Sequence, residues 1–180
     1  MTRMKIAPFA FAAAIAGLFT IAVAPAVGQG GASALGGLNT NAPVDVAADR
    51  IEVQDRADRA VFSGNVIVRQ ANLTLNAARL TVAYSNAGGI QIQRLDASGG
   101  VVVTSPTETA RGQFAIYDLD KRLITLTGGV SLVRGASRVD GGRLVIDLST
   151  GRAVMDGSAA GVSSNGGRVT GTFTVPQRNN

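Results

Sequence analysis

The 180-residue sequence contains no Cys, no His and no Trp. Without His, a Ser–His–Asp triad, a Cys–His pair and a His-ligated metal are all excluded. Without Cys, neither a disulfide nor a thiolate zinc site can form, and any fold must hold by burial and pairing alone. Aromatic residues make up only 4% of the chain. Lysine is almost missing too: of 17 basic residues, only Lys5 and Lys121 are lysines. The arginine fork suits phosphate, yet no arginine cluster interleaved with aromatics occurs, which argues against nucleic acid. "GGASALGG" (Gly30–Gly37) has the glycines of a phosphate loop but lacks the Lys-Ser/Thr that would follow. Two acid pairs, "DRAD" (Asp55–Asp58) and "YDLD" (Tyr117–Asp120), fall where strands meet turns, the usual place for Asp that bonds its own backbone. No cofactor and no catalytic residue is expected, so the chain is read as a protein other than an enzyme.

What the chain has in quantity is small and β-branched apolar residues. It is 46% hydrophobic, much of it Ala and Val, with 23 Gly beside them. Such a composition suits a β protein with many turns. The first residues are set apart. "MTRMK" is charged, Ile6–Ala24 is an uncharged apolar run, and "APA" (Ala24–Ala26) offers a small-x-small cleavage pattern. Residues 1–26 therefore read as a signal peptide cut after Ala26, with an uncleaved membrane anchor as the competing reading. A cleaved signal implies a secreted or periplasmic protein. Residues 27–42, rich in Gly, Ala and Asn, read as a flexible leader.

From Pro43 onward the sequence alternates. In "FSGNVIVRQANLTLNAARLTVAY" (Phe62–Tyr84) apolar and polar residues trade places with a period of two, the pattern of strands with one face hidden. Polar neighbours fix the inward set. Asn65 and Arg69 outside place Val66 and Val68 inside, and Thr74 and Asn76 do the same for Leu73 and Leu75. Arg79 turns Leu80 and Val82 inward, Thr125 does so for Ile124 and Leu126, and Arg143 and Asp147 for Leu144 and Ile146. Asp118 outward leaves Tyr117 and Leu119 inward but puts Phe114 and Ile116 on the wet face, which calls for a bulge or a cover.

Two markers recur. An Arg or Gln followed by a large apolar residue is expected to open a strand at Ile51, Leu80, Phe114 and Leu144, spaced by 29, 34 and 30 positions. A Gly-containing turn is expected between strands at Gly64, Gly99, Gly128 and Gly157, spaced by 35, 29 and 29. A repeated strand–turn–strand unit cannot bury its face alone, so units must stack. The fold class expected is all-β, an elongated antiparallel β jelly roll or solenoid with almost no helix after residue 26. The domain spans residues 43–176, with Arg168–Pro176 as a last strand and residues 177–180 as a disordered tail.

The segments "PVDVAADRIEV", "AVFSGNVIVRQANLTLNAARLTVAY", "IYDLDKRLITLTGGVSLV" and "GGRLVIDLSTGRAVMDG" together resemble the OstA-like family of LptA, periplasmic bridge proteins of lipopolysaccharide export. The likeness runs from about Pro43 to Gly157 and includes Val44, Val46 and Asp49 of the opening motif and Ser63–Val68 of the turn-plus-strand motif. The resemblance implies an open, V- or boat-shaped jelly roll whose apolar interior carries the acyl chains of lipid A. It implies an LptC-like inner-membrane partner, an LptD-like outer-membrane translocon and head-to-tail association of copies. The inward residues then become candidate lipid contacts: Val44, Val46, Val66, Val68, Leu73, Leu75, Leu80, Val82, Val101, Val103, Tyr117, Leu119, Ile124, Leu126, Leu144 and Ile146. A membrane-anchored LptC-like component and a β-solenoid without lipid ligand are the alternatives.

Overall fold

The computed structural model describes residues 39–157 and 167–174, all within the unit formed by Gly31–Asn180. The signal-peptide reading, most of the leader, Pro176 and the tail lie outside the described residues. Among the described residues ten strands form one antiparallel sheet: β1 Asp45–Ala47, β2 Arg50–Gln54, β3 Arg59–Gln70, β4 Leu73–Ser85, β5 Gln91–Thr104, β6 Glu108–Asp118, β7 Leu123–Arg134, β8 Ser137–Asp147, β9 Arg152–Asp156 and β10 Thr170–Thr172. The long strands β3 to β8 pair in sequence order as a meander. No α-helix occurs among the described residues. The expected all-β, antiparallel architecture is present.

The strands are longer than the repeat markers suggest, and this corrects the turn assignment. Gly64, Gly99 and Gly128 lie in the middle of β3, β5 and β7, and Leu80, Phe114 and Leu144 lie in the middle of β4, β6 and β8. At each glycine the pairing register slips: between Ser63 and Val66, between Ser98 and Val101, and between Thr127 and Val130. Gly64–Asn65, Gly99–Gly100 and Gly128–Gly129 all hold positive φ, a conformation a β-branched residue would resist. These are β-bulges, which bend a strand and sharpen its twist. Hairpin turns sit elsewhere, at Ala71–Asn72 and Gly135–Ala136 for example, where Ala71 and Gly135 carry the positive φ.

Aligned across neighbouring strands, the bulges form a crease that divides the sheet into two walls. The opening stretch Val44–Val53 is likewise divided there, into β1 and β2. β1 pairs with Val68 and its neighbours on one wall, and β2 pairs with Arg59–Ser63 on the other. At the opposite edge β9 and β10 split in the same way along β8. The last strand is shorter than expected, three residues rather than Arg168–Pro176. The crease also resolves the conflict in β6. The register slips between Arg111 and Phe114, so the inward set passes from Ala110 to Ala115 and Tyr117, and Phe114 stands outside at 53% exposure.

The interior between the walls is packed. Val66, Val68, Leu73 and Leu75 from one wall share a cluster with Leu80, Leu95, Ile124, Leu126, Leu144 and Ile146 from the other. Every inward alternation read from polar neighbours has its side chains on this inner face. Because β1–β2 and β9–β10 do not pair with one another, the sheet stays open rather than closing into a barrel.

Candidate functional site

The inner face opens at the edge formed by β1 and β2. A cleft of about 440 Å³ lies there, bounded by Val44 and Val46 of β1 and the segment before it, and by Val53, Ala60, Phe62 and Val82 on the facing wall. Ile90 and Ile92, from the β4–β5 turn and the start of β5, complete its apolar lining. Ile90 is 74% exposed, and Ile51 and Val53 of β2, paired with Phe62 and Ala60, are exposed as well. An apolar surface of this kind offers area for a flexible hydrocarbon while asking for few fixed polar partners.

The polar side of the cleft is small. Asp55 and Asn86 reach it beside Tyr84. Asp55 begins a 3-10 turn, Asp55–Ala57, and Asp58 follows in left-handed conformation. The Asn86 Nδ2 donates to Asp58 Oδ1 at 2.7 Å, and the Tyr84 N–H donates to the Asp58 carbonyl at 3.0 Å. Burial, then the carboxylates of Asp55 and Asp58, raise the Tyr84 phenol above its ordinary value. The second acid pair is also local, since Asp118 accepts from the N–H and Nζ of Lys121.

The candidate lipid residues divide by burial. Val44 and Val46 are half-buried at the cleft, and Val82 contributes from behind them. Leu119 is half-buried against the core. Val66, Val68, Leu73, Leu75, Val101 and Val103 are buried on one wall, as are Leu80, Tyr117, Ile124, Leu126, Leu144 and Ile146 on the other. These pack on each other, so in this state they form the core behind the cleft.

Sequence reading missed several cleft residues: Val53, Ala60, Phe62, Ile90 and Ile92. The signal was present, because Val53 and Ile51 alternate with Arg50 and Glu52, and Ile90 and Ile92 with Gln91 and Gln93. It missed buried polar residues as well. Gln70 and Glu108, both 2% exposed, occupy inward positions at strand ends, in step with Val66–Val68 and with Ala110. Glu108 pairs with Arg134. Gln70 accepts a hydrogen bond from the Tyr117 hydroxyl at 3.1 Å, and its Nε2 donates to the carbonyls of Thr40 (3.1 Å) and Ala42 (3.0 Å). Burial raises the Tyr117 phenol above its ordinary value, against the lowering effects of the Gln70 hydrogen bond and the Arg122 charge.

An open sheet doubled along a bulged crease, apolar inside and apolar at its open edge, defines an OstA-like β jelly roll with an apolar groove. The chain belongs to the family of LptA and LptD N-terminal-domain lipopolysaccharide transport proteins, whose model matches residues 45–152. It is 33% identical over 155 residues to an uncharacterised protein of Rhizobium meliloti, covering 81% of this chain and 83% of that one. The fold is similar to that of LptH, the LptA-homologous periplasmic component of the lipopolysaccharide transport device of Pseudomonas aeruginosa. That likeness has a TM-score of 0.67 at 19% identity and covers 76% of this chain and 98% of the other.

Proposed function

We propose that the protein is a periplasmic carrier that takes the acyl chains of lipopolysaccharide into the groove between its walls and bridges the two membranes. The observation that carries this reading is the cleft at the β1–β2 edge, where exposed apolar residues continue inward into a packed, apolar interior. Family membership supplies the substrate class. The strands at both ends of the sheet, each paired on one side only among the described residues, suit docking by strand addition, with an LptC-like partner, an LptD-like translocon or another copy of the chain. Headgroups stay in water while hydrocarbon meets Val44, Val46, Phe62 and Ile90.

Photo-activatable residues at Val46 and Ile90 test this in cells. Both are expected to cross-link to lipopolysaccharide, whereas the same residue at Thr74, on the outer face of β4, is expected to stay unlabelled. Equal labelling at all three positions would refute the groove.

A further inference from the structure

We propose that Gln70 is the latch of the groove, and that its release controls how far hydrocarbon can pass beyond the entry cleft. This rests on the carrier reading above, and deepens it. The inner face of one wall carries a single cross-strand row: Val53, Ala60, Val82, Leu95, Tyr117 and Ile124. The first three line the cleft, Leu95 is buried behind them, and Tyr117 comes next. Tyr117 is the residue whose hydroxyl crosses to Gln70, at the end of β3 on the other wall. One hydrogen bond therefore ties the walls together directly in the path that leads from cleft to interior.

The same carboxamide holds a third element. The turn Asn39–Ala42 is closed by the Ala42 N–H on the Asn39 carbonyl and by the Asn41 N–H on Asn39 Oδ1. Its two outward carbonyls, Thr40 and Ala42, take both Nε2 hydrogens of Gln70. A carboxamide has two N–H donors, and both are used here while Oε1 accepts from Tyr117. Such a satisfied buried network holds one arrangement sharply, and losing one partner leaves the others unpaired away from water. The cleft has the volume of a drug-sized ligand, small for a lipid with several acyl chains, so deeper loading needs the walls to part. Parting them at Tyr117 breaks the latch and frees the Asn39–Ala42 turn together.

The chain has no Cys, so a single introduced thiol reports access without background. Ile124→Cys lies just past the latch, and Leu144→Cys lies in the core of β8. Maleimide labelling is measured on lipid-free protein in three backgrounds: unaltered, Gln70→Glu and Tyr117→Phe. Gln70→Glu still accepts from Tyr117 but turns carboxylate oxygens towards the Thr40 and Ala42 carbonyls. Tyr117→Phe cuts only the link between walls. Each is expected to speed labelling at position 124 by about fivefold or more, with little change at position 144. Unchanged labelling at 124 overturns the latch, and so does an equal rise at both positions, which means general loosening. Loading of purified lipopolysaccharide is then followed, and the latch variants should load faster than the unaltered chain. If no variant and no unaltered protein takes up the lipid, the carrier reading fails, while the labelling result still decides the latch.

Discussion

Asp49 and Asn65 meet at the crease: the Asn65 Nδ2 donates to Asp49 Oδ2 at 2.9 Å, across the point where the first strand breaks into β1 and β2. Beside them the Asp49 N–H donates to the Gly64 carbonyl, also at 2.9 Å. The bend of the edge strand is thus pinned to the bulge of β3, and Gly64 lies between the two contacts with φ +80°. A Cβ at that position would collide with the Asp49 carboxylate. Gly64→Ala is expected to destabilise the fold by about 1–3 kcal/mol through strain and displacement of Asp49. Chemical denaturation should show a lowered midpoint. An unchanged midpoint would mean that the crease tolerates a side chain.

The split of inward residues into core and cleft predicts two different mutant behaviours. Leu126 has no exposed surface, so Leu126→Ala should cost about 2–5 kcal/mol from lost burial and the cavity left behind. Ile90 is largely exposed at the cleft mouth. Ile90→Ser should leave the melting temperature nearly unchanged and weaken lipopolysaccharide binding. Binding retained with Ile90→Ser, together with a large loss of stability, would reverse the assignment.

Acid should act through turn carboxylates. Asp147 accepts from the backbone N–H of Ser149 (2.8 Å) and Thr150 (3.1 Å). The Thr150 hydrogen bond chiefly, with that of Ser149, lowers its pKa from the ordinary 3.8. A depressed folded-state pKa means the native chain binds this proton less readily than the unfolded chain. The stability it contributes is present above about 3.8 and is lost as pH falls through the folded-state value. Asp118 and Asp140 are lowered in the same direction, by Lys121 and by Arg138 respectively. Melting temperature should therefore fall below pH 4, and Asp147→Asn should shrink that fall while leaving the neutral-pH baseline lower. An acid limb as steep as in the unaltered protein would show that Asp147 takes no part.

How much of this was legible in the sequence is clear from particular residues. Alternation placed Val66, Val68, Leu73, Leu75, Leu80, Val82, Ile124, Leu126, Leu144 and Ile146 on the inner face, because a strand reverses side with every residue and a polar neighbour fixes the phase. The same rule left Phe114 and Ile116 outside. Tertiary structure decided what the repeated glycines do. Gly64, Gly99 and Gly128 accept positive φ equally well in a hairpin or in a bulge, and only pairing with the neighbouring strand makes them bulges. From that choice follow the doubled sheet, the split edges and the crease. Tertiary structure also separated core from cleft. Leu80 and Val46 look alike in a period-two pattern, yet one faces an opposite wall and the other an open edge. The Gln70 latch lies beyond local reading altogether, since it joins Thr40, Gln70 and Tyr117 through contacts 30 and 47 positions apart. Local sequence sets which way a side chain points; what it meets there depends on how the sheet folds over.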